Sequence, residues 1–133
     1  MVDGNGVPLS SSVSAANVHD VTRLVRTVAS CPLAGYGERG RLPRRLYADR
    51  AYDSEAHESL LRWVGIEPVF AQRGKSHGSG LGRYRYVVEQ TLAAVHQNRR
   101  LKIRYEKRPE LHQAFLTLAC AKICWYRLDP NRK

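Results

Sequence analysis

Glu89 is an isolated acid in a basic stretch. From Arg73 to Arg108, ten Lys or Arg residues stand against two acids, Glu89 and Glu106, so this segment carries +8 of the chain's +10. Asp49, forty residues upstream of Glu89, closes the apolar run Leu46-Tyr47-Ala48. A carboxylate amid so much positive charge suits a metal ligand beside a polyanion. Mg²⁺ prefers carboxylate oxygens and keeps waters and substrate phosphates as its other ligands. Two such ions can activate an attacking oxygen and stabilise a leaving one. Acids alone would repel a phosphate backbone; flanking cations bring it in, and a bound metal keeps the acids ionised. A strand-end Asp with a helix Glu is a nuclease-like pairing, although a two-metal site needs more than two carboxylates.

Helical spacing places Arg85, Glu89, His96 and Arg100 near one stripe, while Val87, Val88, Leu92 and Val95 can face a sheet. An ordinary Arg85–Glu89 ion pair, worth about 0.3–0.5 kcal/mol, accounts for the same spacing. Of the other acids, Asp3 precedes a glycine and reads as a turn residue, Asp20 as a helix cap, and Asp53 as part of a helix entry. His19, His57, His77 and His112 show no metal-ligand spacing. Tyr84, Tyr86, Tyr105, Trp125 and Tyr126 interleave with cations and can stack on unpaired bases. For Trp125 and Tyr126, at the end of an apolar helix, core packing is the stronger reading.

These side chains need elements to hold them. Met1 to Asp3 reads as a strand tail, followed by a Gly-rich turn and a partner strand over 7–15. Residues 17–20 can cap a helix over 21–28. Residues 31–45 form a Pro/Gly/Arg loop. A short buried strand over 45–49 carries Asp49. Ser54 caps a helix over 55–64 that Gly65 stops, and 66–71 is a second strand, with Pro68 marking an edge or a start. Residues 73–83 form a flexible basic loop. A helix over 84–101 carries Glu89, and the last helix fills 109–128, with Leu111, Phe115, Leu118, Ala119 and Ile123 on a wide apolar face. Strand and helix alternate, so the fold class is α/β.

A chain of 133 residues fits one domain with a real core. Hydrophobic residues make up 43% of it, which excludes compositional disorder. The pI near 10.0 favours a polyanionic partner. No stretch reaches the roughly 18 apolar residues of a spanning helix, and no signal peptide opens the chain, so the expectation is a cytoplasmic protein and no membrane partner. Cys31, Cys120 and Cys124, an odd count with no CxxC, read as reduced thiols. Cys120 and Cys124 lie one helical turn apart and read as small core residues rather than metal ligands.

The sequence resembles the catalytic C-terminal part of bacterial insertion-sequence DDE transposases of the insertion sequence five type. The matching stretches are Val2-Asp3-Gly4-Asn5-Gly6-Val7-Pro8-Leu9, Ala15-Ala16-Asn17-Val18-His19-Asp20, Leu46-Tyr47-Ala48-Asp49-Arg50-Ala51-Tyr52-Asp53-Ser54 and Gly65-Ile66-Glu67-Pro68. They continue through Leu81-Gly82-Arg83, Val88-Glu89-Gln90-Thr91, Asn98-Arg99-Arg100-Leu101, Arg104-Tyr105-Glu106 and His112-Gln113-Ala114-Phe115-Leu116. Each is modest alone; their order and spacing are specific and cover nearly the whole chain.

The resemblance implies an RNase H-like fold and a DDE triad. The family's Ala-Asp-x-x-Tyr-Asp run puts the second Asp on Asp49, and its Arg-x-x-x-Glu motif puts the Glu on Glu89 with Arg85. A related signature has Tyr three residues before that Arg and Lys seven after the Glu; Gly82 and His96 stand there in this chain. The triad's first Asp has no match, since Asp3 aligns with an acid on the following strand. The implied chain is therefore an N-terminally truncated piece, without the first sheet strand or the helical DNA-binding part. It would be either a second reading frame joined by frameshifting to an upstream-frame polypeptide, or a relic.

As implied, Asp49 and Glu89 are metal ligands for Mg²⁺, or Mn²⁺ in its place. Arg85 orients Glu89 or binds phosphate, His96 supports it, and Lys75, Arg83, Arg99, Arg100 and Lys102 track the DNA backbone. The partners are the element's terminal inverted repeats and target DNA in the nucleoid, within a homo-oligomeric complex. The complete enzyme nicks the element's ends and transfers the freed 3′-OH to target DNA; this chain alone is expected to be inactive. The rival readings are a non-catalytic DNA-binding remnant that inhibits full-length transposase, and a basic RNA-binding module.

Overall fold

The computed structural model describes residues 1–15, 17–31, 42–71 and 81–128. Two compact units emerge. One comprises Ala15–Tyr84, the other Met1–Ser14 with Arg85–Lys133.

The Ala15–Tyr84 unit is built on a strand–helix–strand unit. Strand β1 (Arg45–Ala48) pairs in parallel with β2 (Glu67–Phe70), in register Arg45↔Glu67, Leu46↔Pro68, Tyr47↔Val69 and Ala48↔Phe70. Parallel neighbours need a crossover, and helix α2 (Glu55–Trp63) supplies it. Ser54 stands at the N-cap, but its Oγ pairs with His57 Nδ1 at 2.9 Å rather than with the backbone. Glu55 and Glu58 occupy the first turn, where carboxylates suit the helix dipole. Gly65 ends the helix as expected, at φ 83°. Its N–H donates to the Arg62 carbonyl at 3.0 Å and the next N–H, of Ile66, to Leu61 at 2.8 Å. That is the two-bond Schellman stop, which needs a left-handed residue at its hinge. Leu61 and Ile66 on either side of the stop are both buried, as are Leu46, Leu24, Val28 and Cys31 of the same unit, while β2 itself is half-buried. Only Leu46 of β1 is buried, so the expected buried strand is half-buried.

The helix expected over 21–28 splits. Residues Asp20–Arg23 form a 3-10 turn and α1 runs Leu24–Ala29. The N-cap is His19, which makes no side-chain capping bond. Thr22 instead donates both its N–H (3.1 Å) and Oγ1 (2.7 Å) to the His19 carbonyl, the i→i+3 pattern of the tighter helix.

In the other unit, the opening hairpin is a single antiparallel bridge, Val2↔Pro8. Asp3 is the turn residue expected: its Oδ1 accepts from the N–H groups of Asn5 (2.9 Å) and Val7 (2.8 Å). The partner strand over 7–15 does not form. Pro8 has no N–H for a ladder; Leu9 and Ser10 still bond to Met1, and from Ser11 on the chain bonds to Gln113 of helix α5 (Pro109–Leu128). Gln113 Oε1 accepts from Val13 N–H at 2.8 Å, and its Nε2 donates to the Ser11 carbonyl at 3.3 Å.

The helix expected over 84–101 is two helices, α3 (Gly82–His96) and α4 (Arg99–Lys102). Asn98 makes the break. Its Nδ2 donates to the Val95 carbonyl at 2.9 Å while its backbone, at ψ 115°, leaves the helical region to start α4. At the other end Gly82 and Arg83 belong to α3 rather than to a loop over 73–83, of which 73–80 lie outside the described residues. The buried residues of α3 are Thr91 and Val95, and Val88 and Leu92 are exposed. At about 100° per residue, Leu92 lies only about 60° round the helix from Glu89, too close to the polar stripe to be covered. Helix α5 buries Ala119 and Ile123. Leu111, Leu118, Trp125 and Tyr126 are exposed, so the last two do not pack into a core.

Candidate active site

Asp49 stands at the first position after β1, exposed, and its carboxylate is shaped by the chain that follows. Its Oδ1 accepts from the Ala51 N–H at 2.9 Å and so caps a 3-10 turn over Arg50–Tyr52. A carboxylate has two oxygens, and the turn uses one. The strand's end and the cap together fix where the acid points. Tyr52 closes the turn, half-buried; burial first, then the charges of Asp20 and Asp49, pushes its phenol up from its ordinary value.

Glu89 lies at mid-length in α3. Arg85 Nε donates to its Oε1 at 2.8 Å, an i,i+4 pair, and Glu89 keeps 58% of its side-chain surface exposed. His96 shares that stripe and is exposed. Arg100 does not: the break at Asn98 carries it onto α4, where it pairs with Glu106 and lies over the Phe115 ring at 5.1 Å. It borders a hollow between α4 and α5 with Asn98, Leu101 and Lys122. Arg99 sits over Tyr105 at 6.0 Å. Lys102 is exposed at the end of α4, and Arg83 is exposed in the first turn of α3. Lys75 lies outside the described residues.

The structure thus brings Arg85 together with Glu89, and clusters Arg99, Arg100 and Lys102 on one short helix. Asp49 belongs to the other compact unit. Among the described residues, no group of three or more His, Cys, Asp or Glu is arranged to hold a metal ion. Asp49 and Glu89 each carry carboxylate oxygens, the type of donor a hard divalent cation takes.

Two contacts near these acids escaped the sequence. Thr91, two residues after Glu89 and buried, donates from Oγ1 to the Gly6 carbonyl at 2.9 Å. Gly6 has φ 79°, and a Cβ there would meet Thr91 Oγ1 at 3.0 Å. Tyr47 and Tyr84 stack with ring centroids 3.9 Å apart. Tyr84 therefore gives one ring face to Tyr47 rather than to a base, and its phenol is pushed up chiefly by a hydrogen bond with Tyr47. No periodicity links residues so far apart; the glycine beside a turn was the only available signal.

Comparison with known proteins defines the class. Residues 1–124 match the family described as Transposase DDE domain, and the chain belongs to that family. It is 52% identical over 130 residues to a Burkholderia cepacia protein named "Putative transposase for insertion sequence element IS402". The match covers 96% of this chain and 62% of that relative. No solved structure matches. Among the described residues, no helix is long and apolar enough to cross a membrane.

Proposed function

We propose that this chain is the C-terminal catalytic portion of an insertion-sequence transposase of the insertion sequence five type, with an RNase H-like core, acting on DNA in the nucleoid. The observation that carries the reading is the family match over 1–124; the assignment of Asp49 and Glu89 rests on the sequence runs around them, which resemble the family's motifs. Asp49 and Glu89 are the residues that would hold Mg²⁺, or Mn²⁺ in its place. A divalent ion there would supply charge to stabilise a displaced phosphodiester oxygen and to activate the attacking one. Arg85 orients Glu89 through the 2.8 Å bond from its Nε. Arg83, Arg99, Lys102 and Lys75 draw the phosphate backbone of the terminal inverted repeats and target DNA. Arg100, engaged with Glu106, serves first to seat α4 on α5.

Two carboxylates are fewer than the chemistry uses, so the chain by itself binds DNA and cuts it little or not at all. A first acid supplied by an upstream-frame polypeptide, within a homo-oligomeric complex, would complete the set. The test is mobility shift and strand cleavage on terminal-repeat duplex with Mg²⁺. Binding should weaken steeply with salt, log K falling by about 0.9 per log unit of salt for each phosphate neutralised. Robust cleavage abolished by Asp49→Ala would overturn the claim of inactivity alone, and salt-independent binding would overturn the DNA reading. A DNA-binding remnant that inhibits full-length transposase is the second reading, favoured by the lack of a three-acid group among the described residues. It predicts that Glu89→Gln leaves both DNA binding and inhibition intact.

A further inference from the structure

Helix α5 has two apolar sides. One, carrying Ala119 and Ile123, is buried. The opposite side carries Leu111, Ala114, Leu118, Ala121, Trp125 and Leu128, spaced alternately three and four residues apart, and all six are exposed. Leu111 is 46%, Leu118 65%, Trp125 65% and Leu128 70% exposed. A helix lying on a core is polar on its outer side. This one instead presents an uninterrupted a/d heptad seam, about 25 Å long at 1.5 Å per residue.

We propose that this seam is the interface of an antiparallel dimer of two copies of the chain. The pattern is self-complementary about a two-fold axis midway between residues 119 and 120. That axis sets Leu111 against the partner's Leu128, Ala114 against the partner's Trp125 and Leu118 against the partner's Ala121. Because a two-fold contact is reciprocal, each pairing occurs twice. The large residues at the inner layers meet small ones, so the layers interlock instead of colliding; any register that stacks Trp125 on the partner's Trp125 loses this. Antiparallel helices also oppose their dipoles. With side-chain areas of roughly 100–250 Å², the exposed parts of the six residues offer about 500 Å² per chain. Two copies therefore bury about 1,000 Å², near the lower bound of a specific interface. The dimer is independent of the DNA-binding reading, and its test contains no DNA.

The experiment is sedimentation equilibrium of the 133-residue chain from micromolar to hundreds of micromolar, with far-UV circular dichroism of each variant as a check of helix content. The expected mass rises with concentration toward about twice the 15.1 kDa of one chain. Ala114→Trp sets Trp against the partner's Trp125 and should weaken the dimer at least about tenfold. The double swap Ala114→Trp with Trp125→Ala exchanges large for small in the same layer and should restore it. Leu118→Glu, at an exposed position, should give a monomer of unchanged helicity. A monomer at every concentration overturns the proposal and leaves the seam to another chain or another segment. A dimer that survives Leu118→Glu also overturns it, and failure of the double swap to restore the dimer overturns the antiparallel register.

Discussion

Arg85 and Glu89 are joined by a 2.8 Å bond from Nε to Oε1, one turn apart on α3, with both side chains open to water. An exposed pair of this kind contributes about 0.3–0.5 kcal/mol. Glu89→Gln should therefore change unfolding stability in urea by less than about 0.5 kcal/mol. A loss above about 2 kcal/mol would make Glu89 a structural residue and remove the reason to look for chemistry there.

The tie between Thr91 and Gly6 should cost more to break. Thr91→Val keeps the shape but leaves the Gly6 carbonyl without its 2.9 Å partner in a buried place. The expected loss is about 1–2 kcal/mol, and Thr91→Ser should recover most of it. Gly6→Ala should destabilise by about 1–2 kcal/mol, since the left-handed backbone and the close Thr91 Oγ1 and Arg127 side chain both resist a Cβ. Chemical denaturation of the three variants checks this; Thr91→Val within error of the parent would contradict it.

The same two residues show where sequence reading stops. Local signals were legible: Gly65 as a helix stop, Asp3 as a turn acid, Ser54 at a helix start, and two strands joined by a helix. Each depends on a few neighbouring residues. The short runs around Asp49 and Glu89 carry the resemblance to the family, whose match spans 1–124. The break at Asn98 is not legible because Asn is tolerated within helices; its side-chain bonds to the Val95 and Ala94 carbonyls and its extended backbone mark the end of α3. The strand expected over 7–15 does not form, because Val13 finds its backbone partner in the Gln113 side chain, a hundred residues on. Tertiary partners of that kind leave no periodicity. The apolar side of α5 was legible as apolar, but the sequence alone could not say that Leu111 and Leu118 lie opposite the buried side.

Cys124 gives a pH test. Burial, then the neighbouring Cys120, pushes its thiol above the ordinary 9.0. It also donates weakly to the Pro8 carbonyl, 3.6 Å away. A folded value above the unfolded one means the neutral thiol is favoured in the fold. That contribution is complete below about pH 9 and is lost as pH rises through the folded value. Cys124→Ala should therefore flatten the fall in stability above pH 9, measured by urea midpoints from pH 7 to 10.5. Alkylation of Cys124 by iodoacetamide at pH 8 should be slower than that of an exposed peptide thiol. An equal or faster rate would contradict the account.

The central claim is that Asp49 and Glu89 are metal-binding acids of a DNA-bound protein, and Mn²⁺ binding tests it most directly. Electron paramagnetic resonance should follow Mn²⁺ taken up by the chain on terminal-repeat duplex, against duplex alone. The account predicts protein-dependent, saturable uptake that weakens at least about tenfold in Asp49→Asn and in Glu89→Gln, with DNA binding retained in both. Asn keeps an oxygen for the Ala51 N–H, so the turn at Asp49 should survive that change. Mn²⁺ uptake unchanged in both variants would contradict the claim.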